Sequence, residues 1–480
     1  MTGKGPFFIL AINPGSTSTK LALYRDEVEV RRTQVDYSAG ELAPFETMMD
    51  QMDLRQKSVE RFLEEAALPD GALCAVVGRG GVIPPVKSGA YEVNRRMVDR
   101  LMNRPMGQHA SNLGGVLAYG TASARGIPAY VYDGVSVGEL EPLACLTGFG
   151  GLVRQSRCHA LNMRAMAIRA ARELGRDYHS LTLVVAHVGG GITLSIHRKG
   201  RMADVVLDGE GPMTPERAGR VPLSSLINHC MERGIDYKTL MKRIRGGGGL
   251  VSLLGTNSAL EVERRIDGGD ALASLAYETM AYQTAKSIGE LATVASGRVD
   301  CIVLTGAVAH SRRFTRWVEE RVRFIAPVVV LPGEDELEAL ALGGLRVLRG
   351  EEEARQYDER TDGWTMEAAL EEALREYARG PGREEREEGC KMERQILLMS
   401  ARDNVAIAVR ELAAGARVEL PGGGELVTAE KIPRSHKVAL RDIPRGGPVL
   451  RYGAEIGYAT RDIARGEWVH IHNLDAYGIM

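Results

Sequence analysis

The chain has 480 residues, 44% of them hydrophobic, which suffices for about three domains with ample cores. Its 61 basic and 63 acidic side chains nearly cancel, so no charge excess points to a nucleic-acid partner. The longest apolar runs, Leu181 to Val188 and Cys301 to Ala309, are far below the roughly 18 to 20 residues that span a bilayer, and the N-terminal apolar run is too short for a signal-peptide core, so no membrane partner and a cytoplasmic protein are expected. The six cysteines are scattered without a Cys-x-x-Cys pair, as expected of reduced thiols rather than a disulfide framework or a zinc site.

Phe7 to Ile12 is an apolar run that reads as a buried strand. It enters the turn Asn13-Pro14-Gly15-Ser16-Thr17-Ser18-Thr19-Lys20, after which Leu21, Leu23, Val28 and Val30 alternate with polar residues in strand fashion. A Walker-type loop passes from strand into helix; this one joins two antiparallel strands. It is either a polar hairpin tip or a cradle that holds phosphate oxygens with backbone N–H groups, hydroxyls and a Lys ammonium. Phe45 to Leu68 has the spacing of an amphipathic helix, unbroken or with one break, and calls for no functional reading. Leu73 to Val82 is a short strand ending in glycines around Arg79, which is either a surface ion-pair residue or an anion ligand at a strand end.

His109 to Gly115 opens a small-residue helix that runs to about Ala124. Ile127 to Asp133 reads as a strand ending in an acid, which would orient a substrate or a metal-bound water, or cap the next segment. His159 starts a helix from Ala160 to Leu174 and would cap, pack or act. Leu181 to Val188, Gly189-Gly190-Gly191, Ile192 to His197 and the turn Arg198-Lys199-Gly200 then repeat the N-terminal hairpin about 175 residues later, the mark of an internal repeat. Two such loops facing each other across a cleft would clamp phosphates from both sides.

A Pro/Gly-rich loop follows with Arg217 and Arg220, then a glycine loop at Gly246 to Gly249 and a long packing helix from about Ala271 to Ala295. Asp300 to Ala307 is a third buried strand that ends at Gly306 and enters a helix through His310 and Arg312, a junction suited to a nucleoside or phosphate. Phe324 to Leu331 reads as one more strand, and Pro332 to Glu336 as the cap of a helix from Leu337 to Arg349. Gly350 to Lys391 turns to dense Glu and Arg, read as a linker with a solvated helix, a break at Gly380-Pro381-Gly382, and Met392 placed like the start of a new protein. Beyond it, four units beginning at Glu411, Lys431, Asp442 and Asp462 each run apolar residue, tight turn, strand start, so a small β-rich domain is expected. In Val469 to Asn473, strand periodicity puts His470 and His472 on one face. They read as a metal pair or as the polar face of a half-exposed strand, and no third ligand is evident.

The two hairpins, the His187-Val188-Gly189-Gly190-Gly191 loop, Leu207 to Gly219 and Pro332 to Gly343 together resemble the acetate kinase family, in its butyrate kinase branch, over about Phe7 to Gly350. The resemblance implies an α/β fold of two duplicated RNase H-like or actin-like ATPase domains with a cleft: residues 6–150, completed by the helix 335–350, and residues 151–334. It implies phosphoryl transfer from ATP to a short-chain carboxylate with Mg²⁺, butanoate ahead of acetate, propionate or branched acids, and at least a homodimer. Carried over residue by residue, Asn13, Ser16 and Lys20 belong to the first phosphate loop, His187 and Gly189, Gly190 and Gly191 to the second, and Gly306 to the adenosine loop. Arg79 and Arg217 match the catalytic arginines, His159 the transition-state histidine, Asp133 the catalytic aspartate, and His109 a further active-site histidine. Asp335 or Glu336, with Asn13, matches the magnesium-associated set. Gly134 and Arg220 depart from the branch pattern. Residues 394–480, after a linker at 351–393, resemble the SAF, or β-clip, domain of altronate and galactarate dehydratases through Arg402 to Ala406, His436 to Ile443, Tyr452 to Gly457 and His470 to Leu474. That likeness implies docking of a separately encoded dehydratase subunit, or binding of a small acid. Two other readings are a dehydratase small subunit with a degenerate kinase body and an actin-like ATPase with a structural or sensing role.

Overall fold

The computed structural model describes residues 5–379, 395–398, 400, 402–408, 410–420, 424–434, 436–451 and 454–476. The chain divides into two compact units, Met1–Arg379 and Gly380–Met480. Gly380-Pro381-Gly382, Met392 and Tyr452-Gly453 lie outside the described residues.

The first unit contains the duplication. Strands β1 (Phe8–Pro14), β2 (Ser18–Arg25) and β3 (Val28–Asp36) form an antiparallel meander, and β4 (Leu73–Arg79) pairs parallel to β1. With β5 (Ala90–Glu92), β6 (Ala129–Tyr132) and later β12 (Arg355–Gln356) they make a seven-stranded sheet of order β12-β5-β6-β4-β1-β2-β3. The second sheet repeats this core: β7 (Thr182–Val188), β8 (Ile192–Arg198) and β9 (Arg201–Val206) form the meander, β10 (Cys301–Gly306) and β11 (Val328–Pro332) follow in parallel, and the order is β11-β10-β7-β8-β9.

β1 and β7 are apolar without alternation because both of their faces are covered. Leu10 and Ile12 pack with Val59 and Phe62 and with Leu113 and Leu117, whereas Ile9 and Ala11 pack with Leu337, Leu340 and Leu345 of the helix Glu336–Leu348. That late helix therefore completes the first half. In the second half Val184 and Ala186 pack with Tyr277, Met280 and Ala281 of the helix Ala271–Val294, and Leu183 and Val185 with Met163 and Ala167 of the helix Ala160–Glu173.

Three expectations are corrected. The strand expected from Phe324 starts at Val328: the preceding helix continues as a turn in which the Ile325 N–H donates to the Val322 carbonyl, and Phe324 is exposed. Residues 351–379 are no linker. β12 adds to the first sheet, Tyr357 is buried, and Glu376 of the helix Met366–Arg379 pairs with Arg201 at 2.6 Å. The segment expected as a helix from Phe45 becomes α-helical at Met52, after a 3-10 turn at Met49–Gln51.

Among the described residues of the second unit every sheet is antiparallel, with four, two and three strands. The four repeats pair two by two, Leu412 bridging to Ile432 and Ile443 to Ile463, and all four residues are buried. Each pair anchors its own small core, one around Val418, Leu426 and Val438, the other around Val449, Ala459 and Val469. His470 and His472 do not share a strand face. The strand ends at Val469, and the next residues turn because the buried Asn473 side chain accepts from the His470 N–H at 2.9 Å and donates to the Trp468 carbonyl at 2.8 Å. The two imidazoles, 6.2 Å apart, flank Trp468, and His436 joins them. Among the described residues no group of three or more metal-ligating side chains is arranged to hold an ion. Among them, too, no helix is long and apolar enough to cross a membrane.

Candidate active site

The duplicated strands deliver polar residues from their C-terminal ends to one region. Asn13, sixth of seven residues in β1, is buried; its amide donates to Glu336 Oε2 at 2.5 Å and its Oδ1 accepts from Arg79 at 3.2 Å. Arg79, the last residue of β4, also pairs with Glu336 at 2.9 Å. His187 holds the same sixth place in β7. Its Nε2 lies 3.1 Å from Glu334, its Nδ1 2.8 Å from Asn162 Oδ1, and its ring stacks on His159 with centroids 3.9 Å apart. That hydrogen bond holds the Glu334 carboxyl below its usual range. The short stretch from the end of β11 to the first residue of the helix Glu336–Leu348 thus sends one acid to each half.

His159 precedes the helix Ala160–Glu173, and its Nδ1 lies 2.8 Å from Thr193 Oγ1. Burial pushes its pKa well below the ordinary value, and His187, Arg217 and Arg79 push the same way. The ring is therefore neutral at neutral pH, and the tautomer that offers an Nε2–H donor is the one in which Thr193 donates to Nδ1. His109 sits at the rim, bonded to Ser111, and is also pushed down, first by burial and then by Arg79, with Glu336 opposing. Arg79 and Arg217 both push the two histidines toward the neutral form, so both charges lie within electrostatic reach of both rings.

Arg217 is positioned by backbone crossings. A Cβ on Gly191 would lie 2.5 Å from the Arg217 guanidinium, so the bare glycine makes room for it, and Asp208 fixes it at 3.2 Å. The Gly246 to Gly249 loop clamps the Arg217 segment: the Gly246 and Gly248 N–H groups both donate to the Glu216 carbonyl. Gly249, at φ 60°, passes so close to the Thr214 carbonyl that a Cβ there would overlap it at 1.7 Å. Thr214 in turn donates to the Gly190 carbonyl at 2.7 Å. Gly306, at φ 92°, serves a similar crossing against the Val188 carbonyl.

Other expected site residues stand apart. Asp133 is buried with its carboxylate engaged by Arg164 at 3.1 Å and by the Gly89 N–H at 2.7 Å; burial raises its pKa against the pull of Arg164. It braces the chain beside Gly134, whose α-carbon packs on Gly80 next to Arg79, which accounts for a glycine at position 134. Asp335 caps the helix through the Glu338 N–H and pairs with Arg32 at 2.8 Å, so Glu336 is the acid of the cluster. Arg220 pairs with Glu290 on the surface. Ser16 is exposed on the first loop, and Lys20 is exposed in β2, opposite Asn13 in the ladder with β1.

Glu334, Asn162, Thr193 and Arg55 were not singled out from the sequence. Arg55 alone left a trace there: with Val59, Phe62 and Leu63 it lies on the buried stripe of its helix, where a charge is out of place.

These features define an α/β ATPase-like fold of the acetate kinase type. Solved structures agree: an acetate kinase from Porphyromonas gingivalis matches with TM-score 0.57 at 19% identity over 69% of this chain and 98% of that one. A propionate kinase from Francisella tularensis matches with TM-score 0.55 at 14% identity over 70% and 98%. An acetate kinase from Entamoeba histolytica gives 0.56 at 14% identity over the same shares, 70% and 98%. At such identities the likeness is one of fold. By sequence, residues 149–324 match the acetokinase family and residues 394–477 match the altronate/galactarate dehydratase SAF domain.

Proposed function

We propose that the first unit transfers the γ-phosphoryl group of ATP to the carboxylate of a short-chain fatty acid, butanoate by preference, giving an acyl phosphate and ADP. The observations that carry this reading are the Arg79–Glu336 pair at the end of β4, Arg217 lying against the Gly191 loop, and a neutral His159 stacked on His187. A carboxylate oxygen attacks the γ-phosphorus, the bond from that phosphorus to the bridging oxygen breaks, and ADP leaves with the electron pair. The acid is already ionised at neutral pH, so no strong base is required. The obstacle is the approach of two anions and the charge spread over the equatorial oxygens. Arg79 and Arg217 offset that charge, and each such donor is worth about 2.7–4 kcal/mol in the barrier. A neutral His159 donates a hydrogen bond without needing a proton from solvent.

Asn13 and Glu336 offer hard oxygen donors, which suits Mg²⁺, an ion held by one or two carboxylates together with phosphate oxygens and water. When bound, Mg²⁺ neutralises charge on the β- and γ-phosphate oxygens. The preference for butanoate rests on the Asn-Pro-Gly-Ser-Thr-Ser-Thr-Lys form of the first loop. A hydroxamate assay with ATP, Mg²⁺ and acids from acetate to hexanoate tests the reading: acyl phosphate from none of them ends it, and the acid of highest kcat/KM assigns the chain length. For the second unit, the SAF-domain match supports docking of a sugar-acid dehydratase subunit, or binding of a small acid. Co-purification and calorimetry with sugar acids test this, and failure of both removes either role.

A further inference from the structure

Arg55, in the helix Met52–Ala66, has no exposed surface and no carboxylate within ion-pair distance among the described residues. A buried guanidinium without a counter-ion is costly, and burial here acts against its charge. What surrounds it is the back of the first loop. Nη1 donates to the carbonyls of Gly15 at 2.9 Å and Ser18 at 2.8 Å and to Thr19 Oγ1 at 3.0 Å; Nη2 donates to the Ser16 carbonyl at 3.0 Å and to Gln51 Oε1 at 2.8 Å. The Tyr37 ring lies under it at 4.8 Å.

Carbonyls that point back at a cation leave the opposite, N–H side of their peptides facing outward. Ser16 and Thr17 are exposed, and their N–H groups donate to no acceptor among the described residues. Successive free N–H groups on a tight turn form an anion-binding concavity. A positive charge behind the turn raises the partial positive charge of each peptide on the far side, as chains of hydrogen bonds polarise one another.

We infer that Arg55 is a positioning residue for nucleotide phosphate: it aims and polarises the Gly15 to Ser18 loop, and its missing counter-charge is supplied across the loop by the phosphate groups of ATP. The inference rests on the nucleotide reading above and adds a residue that never touches the ligand. It distinguishes the two phosphate loops, because no buried cation backs the second among the described residues. The guanidinium contributes as charge and as scaffold, so the two are separated by comparing Arg55→Met, which keeps length without charge, with Arg55→Lys, which keeps charge with fewer donors.

Calorimetric titration of the full chain with ATP, with tripolyphosphate and with adenosine tests this. Arg55→Met should weaken ATP and tripolyphosphate by about tenfold or more, the scale of a hydrogen bond to a charged group, while adenosine binding stays unchanged; Arg55→Lys should recover part of the loss. In turnover, the KM for ATP should rise while the KM for the carboxylate does not. Gln51→Leu, which loosens the guanidinium without removing it, should shift ATP affinity in the same direction by less, and it decides the matter with Arg55→Lys if Arg55→Met does not fold. Unchanged ATP affinity, or equal weakening of ATP and adenosine, overturns the inference and leaves Arg55 a packing residue. A wild-type chain that binds neither ATP nor tripolyphosphate overturns the nucleotide reading together with it.

Discussion

The two halves of the first unit share a strand order and a three-residue loop between their first two strands, yet the loops are built differently. In the first, carbonyls are tied down by the buried Arg55 and the exposed side is hydroxyl-rich. In the second, glycines strip the loop bare so that Arg217 can lie on it, and Thr214 holds it from the side. Asn13 and His187 occupy the same strand position, and each meets an acid from one short segment, Glu336 or Glu334. Duplication therefore supplied the geometry, and divergence at a few positions supplied unequal charges: the second half carries Arg217 and two stacked histidines, the first carries Arg79 and Glu336.

The largest expected effect comes from removing what only the second half provides. Arg217→Ala should lower turnover by roughly a hundredfold or more with ATP binding retained, and near-normal turnover would take Arg217 out of the catalytic set. Glu336→Gln removes the charge that Arg79 pairs with while keeping one acceptor oxygen for Asn13 and Arg79, and should lower kcat by at least about tenfold and raise the Mg²⁺ concentration for half-maximal rate. Glu334→Gln, its counterpart, should cost less, and equal losses would mean that the two acids play one role.

The clamp on Arg217 makes a narrower claim. Gly249→Ala must relieve an overlap with the Thr214 carbonyl at positive φ, so a stability loss of about 1–3 kcal/mol should accompany a fall in turnover. Gly297→Ala, at φ 76° with open space around it, should lose stability without touching the rate.

A pH effect separates the halves further. His197, in β8, is wholly buried between Tyr178 and Ser195, and burial takes its pKa from 6.5 down to about 3. Below pH 6.5 the unfolded chain takes up a proton that the folded chain refuses until about pH 3, so acidification favours unfolding through this window. Each pH unit there should cost roughly 1.4 kcal/mol, and urea denaturation of His197→Gln should show a shallower slope.

The smallest effect should be Arg32→Ala. Its partner Asp335 is 40% exposed, so stability should change by no more than about 0.5 kcal/mol and turnover not at all. A large loss of rate there would return Asp335 to the metal-binding set.

The strands, their duplication and the glycine-marked ends of β1, β4, β7 and β10 were legible because continuous apolar runs leave few other structures. Arg79, Arg217 and His159 stood out by what surrounds them in the chain. Asp335 and Glu336 were not distinguishable, because adjacent acids at a helix start differ only in which way each side chain leaves the backbone. In residues 351–379 the helix around Ala373 was legible from its spacing, but the dense charge suggested a linker, and nothing local showed that Tyr357 is buried or that β12 joins the first sheet. His470 and His472 misled by periodicity, since one buried asparagine stops the strand before the alternation applies.

Local pattern was enough to set the α/β class of the first unit, the repeat within it and the β-rich character of the second, because those follow from which residues avoid water. Long-range contact alone selected Glu336 for Asn13 and Arg79, committed Asp133 to Arg164, and aimed a fully buried Arg55 at the back of a loop some 40 positions earlier in the chain. Such pairings depend on which side chains face each other once the strands have registered, and no local spacing encodes that.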